Sequence, residues 1–360
     1  MPRFPILSCL PYLPFGLAAT LHAQQPERYT FDSDPVAVYN LGGALKVEPG
    51  SGEVGVQVTR AGRDAGRLKV VQGELDGRAT LRILYPDDHI RFGSGGSSTQ
   101  LRVRSDGTFG DSDDDHAHGR HDRHDGDDGR RVTIAAAGGL DARADLLVQV
   151  PRGRRVELFL AVGSVTVSNV DGEVYVDAHS APVTATGTKG VLSVDVGSGT
   201  VRVTQADGDL SVDTGSGAVE VSRFHGRSLS IDTGSGDVTG SDLESGNVGI
   251  DTGSGEIRLA GIAAPEVALE TGSGGITADL QADINSLHAE TGSGDIAIHA
   301  PSSLGAEVEI ETSSGDIETD FAMQVTRHGR DHMTGTIGDG KGTVAIETGS
   351  GGIRLLKNPK

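Results

Sequence analysis

A five-residue phrase recurs through the second half of this chain at nearly constant spacing. Asp213-Thr214-Gly215-Ser216-Gly217 returns as Asp232-Thr233-Gly234-Ser235-Gly236, and Gly-Ser-Gly begins at Gly197, Gly215, Gly234, Gly253, Gly272 and Gly292. The steps are 18, 19, 19, 19 and 20 residues. Ser313-Ser314-Gly315 continues the series, Gly349-Ser350-Gly351 closes it, and an earlier copy stands at Gly50-Ser51-Gly52. Periodicity on this scale marks a chain of stacked units, none of which can bury its apolar side alone.

Each unit follows one grammar: apolar, acidic, Thr, Gly-Ser-Gly, any residue, then Val or Ile. Flanks such as Val201-Arg202-Val203 and Leu210-Ser211-Val212-Asp213 alternate apolar and polar, the period of a strand with one buried face. A looser turn separates the copies, at Asp207-Gly208, His225-Gly226 and Glu244-Ser245-Gly246. Each repeat is therefore two short strands and two turns. A meander tends to vary its loops, whereas a solenoid brings the same residue type to the same corner every time. The strict repetition selects an all-β, single-chain β-solenoid (β-helix) with about 19 residues per coil, its rungs about 4.8 Å apart.

Glycine is expected to turn the corners through positive φ angles. The regular Thr (Thr214, Thr233, Thr252, Thr271, Thr291, Thr312, Thr348) shares the phase of the apolar residue two positions earlier. It is expected to form an internal ladder, with its hydroxyl bonded to turn backbone. The acid before it (Asp195, Asp213, Asp232, Asp251, Glu270, Glu290, Glu311, Glu347) points outward by alternation. That column is either an edge for cations or a basic partner, or a set of carboxylates accepting N–H bonds from the following turn. The second reading is preferred, because Asp often bonds a nearby turn in this way.

Composition sets limits on partners and core. With 54 glycines, no Trp and 4% aromatic residues, the core must be narrow and aliphatic. A formal charge of -20 argues against nucleic acid or an anionic membrane as the main partner. Residues 1–23 read as an export signal: Met1-Pro2-Arg3 is a short basic start, positions 4–21 carry no charge, and Leu21-His22-Ala23 offers a cleavage site. Pro11 and Pro14 argue against a spanning helix there, and no membrane insertion is expected once the signal is removed. Cys9 falls inside this segment, so the mature chain has neither a disulfide nor thiol chemistry. Export to the periplasm, cell surface or extracellular space follows.

Residues 24–92 read as irregular N-terminal β coils, 93–131 as a disordered Asp/His-rich insertion, and 132–356 as regular coils with a C-terminal cap. The insertion holds four His and eight Asp between Asp111 and Asp128, and nothing apolar except Ala117. His116, His118, His121 and His124 could together hold one Zn²⁺, Ni²⁺ or Cu²⁺ ion weakly. The preferred reading is a solvated, charge-mixed loop.

Three features together resemble the bacterial putative-adhesin family, a domain of unknown function with a β-helix fold. They are the Thr-Gly-Ser-Gly-Asp-Val type repeats, Val150-Pro151-Arg152-Gly153 before them, and Gly335-Thr336-Ile337-Gly338-Asp339-Gly340 followed by Ile346-Glu347-Thr348-Gly349-Ser350-Gly351-Gly352-Ile353. The resemblance spans about residues 35 to 356 and implies a fold. It supplies no catalytic residues.

No enzyme motif competes with this reading. Calcium-binding repeats need an acid after their glycines, but that position here is Thr200, Ala218, Asp237, Glu256, Gly275 or Asp295. Gly-Ser-Gly lacks the lysine and following helix of a phosphate loop. Arg223, His225 and Arg227 form a compact basic group, read as surface decoration. His328, Arg330, Asp331 and His332 belong to the excursion expected to cap the solenoid. The sequence therefore points to an exported, non-catalytic adhesive or structural element of a bacterial envelope, with no cofactor and with a surface protein or glycan as partner. A carbohydrate-binding or carbohydrate-cleaving β-helix is the alternative, but Tyr175, Phe159 and Phe224 are too few for an outward aromatic ladder. Metal capture by the His/Asp loop is the other.

Overall fold

The computed structural model describes residues 26–93, 98–110 and 129–359; the segment expected to be an export signal, with Cys9, and the four loop histidines lie outside them. Among the described residues every regular element is a β-strand, apart from one short 3₁₀ turn at Ala65–Arg67. Twenty-five strands form one continuous sheet. From residue 155 to residue 300, each coil pairs in parallel with its predecessor. Val183 faces Val201, Val201 faces Val219, Val219 faces Val238, and Val238 faces Ile257. Asp195 faces Asp213, and the offset lengthens by one position where Asp213 meets Asp232, across an irregularity between Asp207 and Leu210. This is a β-solenoid-like stack, with two strands to each coil.

The alternation in sequence becomes the alternation in burial. In Asp207–Ser216, Leu210, Val212 and Thr214 are buried and Ser211 and Asp213 exposed. Stacked columns fill the narrow interior: Val194, Val212, Ile231, Ile250 and Leu269 form one, and Val201, Val219, Val238, Ile257 and Ile276 another. Each such side chain gains roughly 1.5–3 kcal/mol from burial, and it does so only against its neighbours in the stack.

Spatial order departs from sequence order at both ends. After coil 286–300 the chain skips a level, forms coil 306–319, and returns through an antiparallel hairpin, Met323–His328 and His332–Ile337. Gly342–Thr348 then enters between Ser286–Thr291 and Ala306–Thr312, parallel to both. Ile353–Lys357 does the same between Ile296–Ala300 and Ile317–Thr319. The coil carrying Ser313-Ser314-Gly315 therefore does not follow coil 286–300 directly, as regular spacing would have it. At the other end, Val36–Pro49 lies between Arg143–Val150 and Arg155–Ser168, which are neighbours in sequence.

The N-terminal strands differ from irregular coils in one respect. Val54–Ala61 and Glu27–Phe31 pair antiparallel, so Gly50-Ser51-Gly52 is a reversal rather than a coil corner. Strand structure also reaches into the span expected to lack it, at Ser98–Val103. Beyond that strand, Phe109 is buried edge-on against Tyr39, with ring centroids 6.0 Å apart.

Candidate functional site

One outward column runs the length of the regular coils. Asp177, Asp195, Asp213, Asp232, Asp251, Glu270 and Glu290 are register partners in succession, followed by Glu347 and then Glu311. Nine carboxylates thus stand one strand spacing apart, roughly 4.8 Å. All but the half-buried Asp177 are exposed. His332 follows Glu311 across the antiparallel pairing, with its Nδ1 3.7 Å from Glu311 Oε1. His288, two residues before Glu290 on the same face, lies 3.4 Å from Glu290 and 3.9 Å from Glu270.

At its other end the same column changes chemistry. Asp177 is preceded by Phe159, then Tyr39, then Arg82. Tyr39 and Phe159 stack at 4.3 Å and are buried. The segment leading to Gly110 lies over them, since a Cβ on Gly110 would come within 2.4 Å of Asp177 Oδ2 and 3.2 Å of Phe159 Cδ1. Sequence reading placed the start of the acidic series at Asp195 and missed Asp177, although Val176-Asp177 stands one coil earlier in the same phase.

The expectation that turn N–H groups hold these carboxylates is not met from Asp232 onward. Among the described residues, no turn N–H bonds Asp232, Asp251, Glu270, Glu290, Glu311 or Glu347. The acids that take this role are Asp237 and Asp295, after the turn, which accept from Glu256 N at 2.9 Å and Gly352 N at 2.8 Å. From Asp232 onward the column therefore faces solvent, with unfilled acceptor capacity.

The Thr ladder is present, and all seven members are buried. Thr252, Thr271, Thr291, Thr312 and Thr348 donate to Gly236, Gly255, Gly274, Gly351 and Gly294 carbonyls at 2.9 to 3.3 Å. Thr214 and Thr233 hydroxyls are buried without a partner.

The glycine expectation needs correcting in part. Gly199 and Gly217 do have positive φ, 148° and 150°. Gly236, Gly255, Gly274 and Gly294 do not, yet a Cβ on each would lie 2.0 to 2.1 Å from the carbonyl oxygen of the glycine one coil below. The Gly-Ser-Gly corner is glycine because backbones stack too closely there for any side chain. Left-handed residues sit mostly at the opposite corner: Asn169, Gly187, Gln205, Arg223, Asp242 and Gly261, with φ between 54° and 72°.

His225 lies 3.4 Å from Asp207 and 4.0 Å from Glu244, and Arg227 pairs with Asp209, so these two members of the basic group are paired with acids of adjacent coils. Phe224 is buried in the core. Arg327, His328, Asp331 and His332 border a cleft of about 350 Å³ with Glu311, Glu347 and Thr348. No three His, Cys, Asp or Glu among the described residues are arranged to hold a metal ion. No described helix is long and apolar enough to cross a membrane, which says nothing about spanning by strands.

Comparison with known proteins is informative at the level of family. The profile of the Toastrack DUF4097 family matches residues 141–356. No curated protein matches the chain. Among solved structures, a putative cell adhesion protein from Clostridium sporogenes is 10% identical, covering 93% of this chain and 100% of its own, with a TM-score of 0.23. A putative adhesin from Parabacteroides merdae is 13% identical over 93% of this chain and 96% of its own, with a TM-score of 0.34. Superpositions this loose carry no argument about role.

Proposed function

Since the chain belongs to the Toastrack DUF4097 family, we propose that it is an exported, non-catalytic β-solenoid, an adhesive or structural element of a bacterial envelope. Its coil is the Gly-Ser-Gly repeat unit itself. Its working surface is the exposed run of the carboxylate column from Asp232 to Glu311, and its partner is a cationic patch on a surface protein or an amine-bearing glycan. The observation supporting this is the register itself: Asp213, Asp232, Asp251 and Glu270 face one another coil by coil on an exposed strand face. Like charges a rung apart repel, and a cationic partner spanning several rungs relieves that repulsion. Such binding weakens with salt as the screening length shortens from about 10 Å at 0.1 M.

The test is a glycan array together with titration of a lysine-rich peptide against the chain and its Asp232→Asn/Asp251→Asn/Glu270→Gln variant. Binding should be at least tenfold weaker for the variant, and weaker for both proteins at high salt. Equal binding by the two proteins would remove the acidic column from the account. Turnover of any polysaccharide would overturn the non-catalytic reading.

A further inference from the structure

The coil at 342–357 is held differently from the other regular coils. It fills a slot bounded by Ser286–Thr291 and Ile296–Ala300 on one side and by Ala306–Thr312 and Ile317–Thr319 on the other. Neither wall is its neighbour in sequence: Thr348 is flanked by Thr291 and Thr312, with the whole hairpin lying between them and it along the chain. The path into the slot runs from the hairpin through Gly338-Asp339-Gly340-Lys341. Gly338 and Gly340 there have φ of 59° and 67°, and Lys341 pairs with Asp339 at 2.6 Å in the open.

What the slot recognises can be read from its contacts. Backbone edges on both sides accept an extended strand, as in strand-addition complexes. The interior takes Val344, Ile346, Ile353 and Leu355. Gly294 O takes the Thr348 hydroxyl at 3.0 Å, and Gly351 must approach Gly294 O within a distance that no side chain allows. A latch follows at the far end: Lys357 N donates to Asp320 Oδ1 at 2.9 Å, its Nζ lies over the Phe321 ring, and Asn358 Nδ2 donates to Leu280 O at 2.7 Å.

We propose that this slot is a binding site for the same segment of a second copy, so that two chains join by exchanging residues 342–357. The exchanged contacts are identical to those made within one chain, and only the hinge at 338–341 changes path. That identity is why swapping an element costs little. The partner is a second copy because the ligand must carry the apolar-acid-Thr-Gly-Ser-Gly pattern in this register.

Two single-cysteine chains test it, each in full-length protein with Cys9→Ser. Ser293 and Ser350 are exposed and lie on adjacent rungs, joined by Gly294 N to Ser350 O at 3.0 Å. Ser293→Cys and Ser350→Cys chains are refolded together at about 1 mM, near the effective concentration of a short tether, and then oxidised. Exchange puts the two thiols side by side in the mixed dimer. The expected yield of mixed disulfide is at least tenfold above that of a Ser293→Cys and Ser216→Cys mixture, whose positions are several rungs apart. Deleting Asp339 and Gly340 shortens the hinge and should raise the yield further. Control-level cross-linking with the natural hinge would overturn the proposal, whether or not the shortened chain folds.

Discussion

Thr214 and Thr233 test how the inner ladder is stabilised. A buried hydroxyl with no partner keeps the cost of leaving water without the return of a hydrogen bond, about 1–3 kcal/mol. The chain supplies its own comparison, because Val196 occupies the position stacked directly on Thr214. Thr214→Val and Thr233→Val should each stabilise by ~1 kcal/mol in chemical denaturation, whereas Thr271→Val, which loses a 3.0 Å bond to Gly255 O, should destabilise by about as much. Three tyrosines in the N-terminal layers give a pH prediction. Burial pushes the phenols of Tyr29, Tyr39 and Tyr85 up, Tyr29 to about 12, with the Glu27 carboxylate adding to the effect there. A folded value above the unfolded one of about 10 means that the contribution to stability is complete below pH 10. It is lost as pH rises through the folded values. Phenolate absorbance should therefore rise at higher pH in the native chain than in the unfolded one, with Tyr29 ionising in the native chain only near pH 12.

At the scale of the coil, close backbone stacking makes two glycines opposite in effect. A Cβ on Gly274 would meet Gly255 O at 2.0 Å, whereas one on Gly249 meets nothing within 4 Å. Gly274→Ala should cost ~3 kcal/mol or more in a thermal or urea melt, and Gly249→Ala should be neutral or slightly stabilising, since Ala suits a strand better than Gly. The sequence revealed the strands, their phase, the inward Thr and the outward acid, because these follow from a period of two repeated every coil. It did not reveal why the corner is glycine. Positive φ and close approach select the same residue, and only the carbonyl of the coil below separates them. Nor could it show that the acids bonded to turns would be Asp237 and Asp295, which follow the glycines instead of preceding them.

For the whole molecule, periodicity announces stacking but not its order. The repeat at 313–315 and the one at 349–351 obey the same grammar, so nothing local says which of them sits on coil 286–300. The answer depends on where the hairpin at 323–337 lies, and that hairpin pairs antiparallel outside the repeat. The same ambiguity hid the insertion of Val36–Pro49 between two sequence neighbours. Continuity of the acidic column rests on this order, since Glu347 must come between Glu290 and Glu311. Spin labels on cysteines placed pairwise along the column, in a chain lacking Cys9, measure it directly. Separation should grow by about one strand spacing, roughly 4.8 Å, for each coil from Asp213 to Asp232, Asp251 and Glu270, and the Glu290–Glu347 pair should be closer than Glu290–Glu311. Separations that do not grow with coil number, or a Glu290–Glu311 pair closer than Glu290–Glu347, would contradict the account.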